Sequence, residues 1–352
     1  MTKSKLTLIV DGNWLLMSRL AVMNGRYPNM DELLRELKLL MIRSINLVLK
    51  TFPNIDNVIF VADGGSWRND IANVPQFLIN EGIEYKGNRE HSSDIDWDAV
   101  FADYERFLNT LRDSGITVCR ERGIEGDDWC AWWSFVLNDE GTNVMIWSKD
   151  KDLTQLVKTD NNSCFTICWN KEGGVTCLDK NEDEFNFLFN ASFSENDKIF
   201  HNICDKSNGV NKINPNSVIV DKIVRGDLGD NIQPIIIKKP SSTTSTRLYR
   251  VATKDIDSSL NVFDEQAIRS YVENLCDSKS YKNRLHDRTV EEVIEHFNYN
   301  RSLVVLSKDV YPDNVLNILS NYVTYTCSKD LSAAEYAIAA RKAGIQDILD
   351  SI

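Results

Sequence analysis

The chain has 352 residues, with 40 Lys and Arg against 52 Asp and Glu for a net charge of −12; 42% of its residues are apolar and 26% are charged. That composition supports a real core, excludes a disordered, collagenous or small disulfide-scaffolded chain, and at this length predicts two domains or one with insertions. Leu6 to Val10 is too short an apolar run for a signal-peptide core or a membrane span, so a soluble cytoplasmic protein is expected.

In chain order, Leu6–Val10 reads as a β-strand, about 30–50 as a helix, Val58–Ala62 as a strand, about 98–113 as a helix and Ile116–Cys119 as a strand. A helix over about 127–137 follows, then a strand at Val144–Ser148, and then Cys164–Trp169 paired through Lys171-Glu-Gly-Gly174 with Val175–Leu178. Strands alternating with helices predict an α/β fold: a mainly parallel central sheet with helices on both faces and a hairpin at its edge. Between Phe185 and Ser217 the pattern loosens into Asn, Ser and Asp. Helices are expected beyond it, over about 264–276, 289–297, 312–325 and 333–349, the last opened by a Ser332/Glu335 capping box. The predicted domains are therefore 1–185 and a smaller, mainly helical 186–352.

Eight cysteines without a Cys-x-x-Cys pair, and His91, His201, His286 and His296 without ligand spacing, predict reduced thiols and no zinc site. The acids carry the informative pattern. Asp11 follows the first strand, Asp63 the second, and Asp150 and Asp152 the run ending at Ser148. Residues just past the carboxyl ends of parallel strands line the ligand crevice of an open sheet. Glu125, Asp127 and Asp128 open the next helix, and Asp227 and Asp230 repeat the three-residue spacing in Arg225-Gly-Asp-Leu-Gly-Asp-Asn231. One such acid alone is a turn or a cap. Carboxylates brought together repel one another, and divalent cations are the natural counter-charge. An oxygen-only set suits magnesium or manganese, and two such ions serve in-line phosphoryl displacement, so these nine residues predict a metal-dependent phosphodiesterase. There is no P-loop, no Gly-x-Gly-x-x-Gly and no nucleophile elbow, and Asn13 replaces the second Asp of an aspartyl-phosphate phosphatase.

The ordered motifs Ile9-Val-Asp11-Gly-Asn13, Val61-Ala-Asp63, Tyr85-Lys-Gly-Asn-Arg89, Ile124-Glu-Gly-Asp-Asp128, Ser148-Lys-Asp-Lys-Asp152 and Lys222-Ile-Val-Arg-Gly-Asp-Leu-Gly-Asp230 resemble the structure-specific 5′ nucleases, or flap endonucleases. Within that family the chain is most similar to the bacteriophage ribonuclease H branch, including segments around Asn300–Tyr325 and Tyr336–Leu349. The resemblance implies a PIN-like nuclease core with an arch or clamp over about 66–97, and a duplex-binding carboxyl-terminal domain that carries the acidic motif 225–231. It implies a 5′-to-3′ exonuclease and flap endonuclease with ribonuclease H action, removing RNA primers or 5′ flaps during DNA replication. Asp11, Asp63, Glu125, Asp127, Asp150, Asp152 and Asp230 carry over as ligands of two Mg2+ ions, for which Mn2+ can substitute, while Asp128 and Asp227 match acids that act through water. Lys86, Arg89 and, by a weaker match, Arg68 would touch the scissile phosphate region. Branched or nicked DNA, RNA/DNA hybrid and a single-strand-binding protein are the implied partners of a monomer that avoids membranes. The chain departs from the family after its last acidic motif, where Gln233-Pro-Ile-Ile-Ile-Lys-Lys-Pro240 lacks the glycines of a potassium-holding helix-hairpin-helix. Lys238, Lys239, Arg247, Arg250 and Lys254 nonetheless form an acid-free strip suited to phosphate contacts. A catalytically weak scaffold of the same fold and a PIN-like ribonuclease are the alternatives.

Overall fold

The computed structural model describes residues 6–23, 25–52, 55–88, 94–159, 164–170, 174–178, 210–236, 255–282 and 288–326. The expected boundary at 185/186, the expected helix at 333–349 with its capping box, and Arg89, Lys238, Lys239, Arg247, Arg250 and Lys254 lie outside the described residues.

The chain divides into two compact units that do not follow a single cut in the sequence: residues 1–66, 91–213 and 312–352 form one, and residues 67–90 and 214–311 the other. The first unit holds a sheet of β1 (Leu6–Asp11), β2 (Asn57–Val61), β3 (Thr117–Cys119), β4 (Asn143–Trp147), β5 (Lys158–Thr159), β6 (Phe165–Asn170), β7 (Gly174–Leu178) and β8 (Val210–Ile213). Its order is β3-β2-β1-β4-β6-β7-β8, with β5 paired to β6 off this path. The five strands from β3 to β6 are mutually parallel, and β7 joins β6 antiparallel as the expected hairpin arm. Every residue of β1 is buried, the mark of a parallel strand covered on both faces. On one face Leu6, Leu8 and Val10 join a core with α1 (Gly12–Met23), α2 (Met30–Thr51) and α4 (Trp97–Asp113). The alternate residues Ile9, Ile59 and Ile146 are equally buried, and α5 (Gly126–Asp139) packs on β1 and β4.

Local chemistry sets the helix starts. Asn29 caps α2 by accepting from Glu32 N at 2.9 Å, and Asp96 caps α4 by accepting from Ala99 N at 3.0 Å. Helix α1 begins directly at Gly12, where the sequence reads equally well as a turn. A side chain there would meet Tyr104 Oη at 2.5 Å and the Val61 carbonyl at 2.6 Å, so only glycine fits where the chain leaves β1.

The second unit is mainly helical, with α3 (Gln76–Asn80), α6 (Pro215–Arg225), α7 (Glu265–Asp277) and α8 (Val290–Val304). Its core joins Leu78 to Val220, Ile223, Val272, Val293 and Phe297. Asn300 ties α8 to the end of α6 and the loop beyond, donating to the Ile223 carbonyl at 2.9 Å and the Gln233 carbonyl at 2.8 Å. The helix α9 (Asp313–Thr326) belongs to the first unit, where the Tyr322 ring lies 4.8 Å from that of Trp129 in α5.

Candidate active site

The chain runs from β1 outward through β2 to β3, then returns to place β4 on the other side of β1. The order reverses between β1 and β4, and crevices form at such switch points beyond the strand ends. Register places the side chains there. Val10 pairs with Trp147, so Ser148 is level with Asp11, and its hydroxyl donates to Asp11 Oδ2 at 2.7 Å. The same Ser148 oxygen accepts from Asp150 N at 3.0 Å, and Asp150 Oδ1 accepts from Asp152 N at 2.8 Å. One buried hydroxyl thus links the acid of β1 to the acids after β4.

Asp63, two residues past β2, is held by groups from three other segments. Asn13 Nδ2 donates to its Oδ2 at 2.6 Å while Asp63 N donates back to Asn13 Oδ1 at 3.1 Å. Gly126 N, in the first turn of α5, donates to Asp63 Oδ1 at 2.6 Å, and Arg120 Nε donates to the Asp63 carbonyl at 2.8 Å. A Cβ on Gly126 would stand 3.0 Å from Asp63 Oδ1, which accounts for glycine between Glu125 and Asp127. Arg120 is itself paired with Glu105. Asp128 is fully buried and accepts from Glu125 N at 3.2 Å, so this acid shapes the helix start.

The electrostatics are those of crowded acids. Burial raises the Asp11 carboxyl from its ordinary range to about 7; the bonds from Ser148 and Trp14 N oppose the rise, and Asp63 and Asp150 add to it. Asp127 keeps part of its surface open to solvent, yet desolvation and then the charges of Asp150, Asp11, Asp63 and Glu125 push its carboxyl well above the usual value. The neighbouring Tyr104 hydroxyl is raised by burial and by Asp11 and Asp63. Among the described residues no three His, Cys, Asp or Glu already form a cation site. The acids stand close enough to repel but are not gathered as ligands, and their oxygen-only chemistry fits a hard divalent ion.

A model of the 5′-3′ exonuclease amino-terminal, resolvase-like domain matches residues 7–186, about half of the chain. The chain belongs to the 5′-3′ exonuclease family. A curated 5′-3′ exonuclease of Buchnera aphidicola is 28% identical over 127 residues, which span 36% of this chain and 39% of that relative. In fold, this family member is similar to the bacteriophage T5 D15 protein co-crystallised with metal ions, at 16% identity and a TM-score of 0.52 over 92% of this chain and all of that one. It is likewise similar to the T5 5′-exonuclease with bound divalent zinc ions, at 16% identity and a TM-score of 0.50 over 91% of this chain and 99% of that one.

Of the residues expected in this exonuclease-family site, Asp11, Asp63, Glu125, Asp127, Asp128, Asp150 and Asp152 belong to the first unit, and Asp227, Asp230, Lys86 and Arg68 to the second. Asp227 is engaged within its own unit: Lys222 Nζ donates to its Oδ2 at 2.6 Å and Gly229 N to its Oδ1 at 2.8 Å. Arg68 is only 3% exposed; its Nε donates to the Leu303 carbonyl at 2.9 Å and its guanidinium lies 4.6 Å from the centre of the Trp67 ring. Trp67 packs in turn edge-on against Tyr311 at 6.0 Å, so it is a core residue of its unit. Lys86 lies 4.9 Å over the ring of Tyr85. Asn13, Ser148, Tyr104 and Arg120 escaped sequence reasoning as site residues; Asn13 and Ser148 stand inside acidic motifs, which was the one available signal, whereas Tyr104 in α4 and Arg120 after β3 stand outside them.

Proposed function

We propose that this chain is a metal-dependent 5′ nuclease that removes 5′ flaps and RNA primers by exonuclease, flap endonuclease and ribonuclease H action on branched or nicked DNA and RNA/DNA hybrid. The observation that carries this reading is the set of mutually repelling carboxylates on Asp127, borne by β1, the β2 end, α5 and the β4 end of a family-matched core. Asp11, Asp63, Glu125, Asp127, Asp150 and Asp152 would hold two magnesium ions. Bound divalent ions supply Lewis acidity to the attacking and leaving oxygens of an in-line displacement.

This chain's own residues then orient the site. Ser148 fixes Asp11 against Asp150, and Asn13 and Gly126 fix the two oxygens of Asp63. Lys86 and Arg89 would contact the phosphate, and Lys238, Lys239, Arg247, Arg250 and Lys254 would grip duplex backbone without reading sequence. Asp128 and Asp227, which accept from groups beside them, shape the α5 start and the 226–232 loop.

The test follows a 5′-labelled flap and a 5′-recessed RNA/DNA hybrid with magnesium, with EDTA, and with Asp150→Ala. Short 5′ products lost with EDTA and with the variant are expected. Tight binding without cleavage in magnesium or manganese would replace this reading with that of a scaffold.

A further inference from the structure

Two described residues other than glycine have positive φ, Lys86 and Asn231, each at 57°. In that left-handed region the Cβ of an L-residue crowds the backbone; asparagine enters it comparatively readily, but a lysine there is uncommon and persists where the surroundings over-determine it. Both sit on opposite sides of one seam within the second unit. Lys86 N donates to the Asp230 carbonyl at 2.9 Å, Asn231 Nδ2 donates to the Glu84 carbonyl at 2.8 Å, and Asn88 Nδ2 donates to the Leu228 carbonyl at 2.9 Å. Three hydrogen bonds therefore strap the 84–88 turn to the 227–231 loop, across more than 130 residues of sequence.

Each side of the strap is itself stiff. The loop closes on an antiparallel bridge in which Asp227 N donates to Ile232 O at 2.9 Å and Ile232 N to Asp227 O at 2.7 Å. The turn closes through Gly87 N on Glu84 O at 3.0 Å, and a Cβ on Gly87 would meet that same carbonyl at 3.2 Å. A substrate-facing lysine on an isolated exposed turn would sample many positions. Here its backbone is fixed by the loop that carries the last acidic motif.

We infer that Asn88 and Asn231 are positioning residues that couple Lys86 to the Asp230 loop, so that the phosphate-binding cation and the last acid move as one body. The inference rests on the nuclease reading above. It assigns the two asparagines a role that neither charge nor metal-ligand chemistry would suggest, because both act through the backbone carbonyls of the facing segment.

The test uses the full chain with Asn88→Ala combined with Asn231→Gly, the glycine keeping the left-handed backbone accessible. Hydrogen exchange at the Lys86 amide is expected to speed up at least about tenfold while β1 amides keep their rates. In flap cleavage, kcat is expected to fall about tenfold with KM within about twofold, as for a misplaced catalytic group. Lys86→Ala should then cost clearly less in the strap-less background than in the native chain. An unchanged Lys86 exchange rate, or losses that simply multiply in the combined variant, overturns the coupling while leaving the nuclease reading intact. A native chain that cleaves neither substrate overturns the nuclease reading, and with it any role of the strap in cleavage; exchange at Lys86 still reports whether the strap itself holds.

Discussion

Removing the Ser148 hydroxyl is the sharpest perturbation of the candidate site. Ser148→Ala deletes the 2.7 Å bond to Asp11 Oδ2 and the 3.0 Å bond from Asp150 N at once, leaving Asp11 with the 2.9 Å bond from Trp14 N. A hydrogen bond to a buried carboxylate contributes about 1.5–3 kcal/mol, and about 1.4 kcal/mol corresponds to a factor of ten. If that energy holds Asp11 and Asp150 in place for a cation, the magnesium concentration for half-maximal cleavage should rise about ten- to hundredfold, the range seen when an outer partner of a metal ligand is removed. Flap cleavage would be titrated with magnesium for the native chain, Ser148→Ala and Ser148→Thr, with urea unfolding run in parallel. The threonine keeps the hydroxyl and should recover most of the loss. An unchanged magnesium midpoint in the alanine variant, or a threonine variant as impaired as alanine at equal stability, refutes the reasoning.

Gly226 ends α6 at φ 67° and ψ −179°, where a Cβ would also run into the Ile232 carbonyl, so Gly226→Ala should cost about 2–4 kcal/mol of unfolding free energy; a loss below about 0.5 kcal/mol contradicts the argument. Buried His296 is pushed down to about 3 by desolvation first and then by Arg288, with the Gln233 backbone offsetting this in part. The unfolded chain therefore binds the proton first: the stability this group contributes is whole above about pH 6.5 and is lost as pH falls toward 3. Urea unfolding of the native chain should lose about 2 kcal/mol more between pH 7 and pH 5 than that of His296→Gln, and equal pH slopes would remove His296 from the account.

The sheet was legible because parallel strands are buried on both faces and so read as unbroken apolar runs, as in Leu6–Val10 and Val144–Trp147. The order α/β and the edge hairpin followed from that. Helix α1 was not legible, because Asp11-Gly-Asn13 is as good a turn as a helix start until Phe60, Val61 and Tyr104 close around Gly12. Helix α6 falls at the end of a polar stretch, yet Asn214 capping and Pro215 at the first helical position were readable signals that the loosened apolar pattern obscured. The grouping of 67–90 with 214–311 depends on short segments, such as the one bearing Leu78, entering a core built mostly from α6, α7 and α8, and no local period records that.

The acids of the first unit were legible for a positional reason: each stands at or just beyond a strand end or at a helix start, where backbone geometry directs it to the crevice edge. Their partners were not, because a serine or an asparagine has no pattern of its own. Ser148 becomes a site residue only through the register Val10↔Trp147; a strand slip of one residue would turn its side chain to the opposite face and leave Asp11 without its hydroxyl donor. The same holds for Asn13, which as a sequence feature marked only the absence of a second aspartate. In the fold it is the donor that meets Asp63, and a carboxylate in its place would stand about where Nδ2 now lies, 2.6 Å from Asp63 Oδ2. The site thus depends as much on neutral donors being where they are as on the acids they hold, and those donors are set by tertiary register.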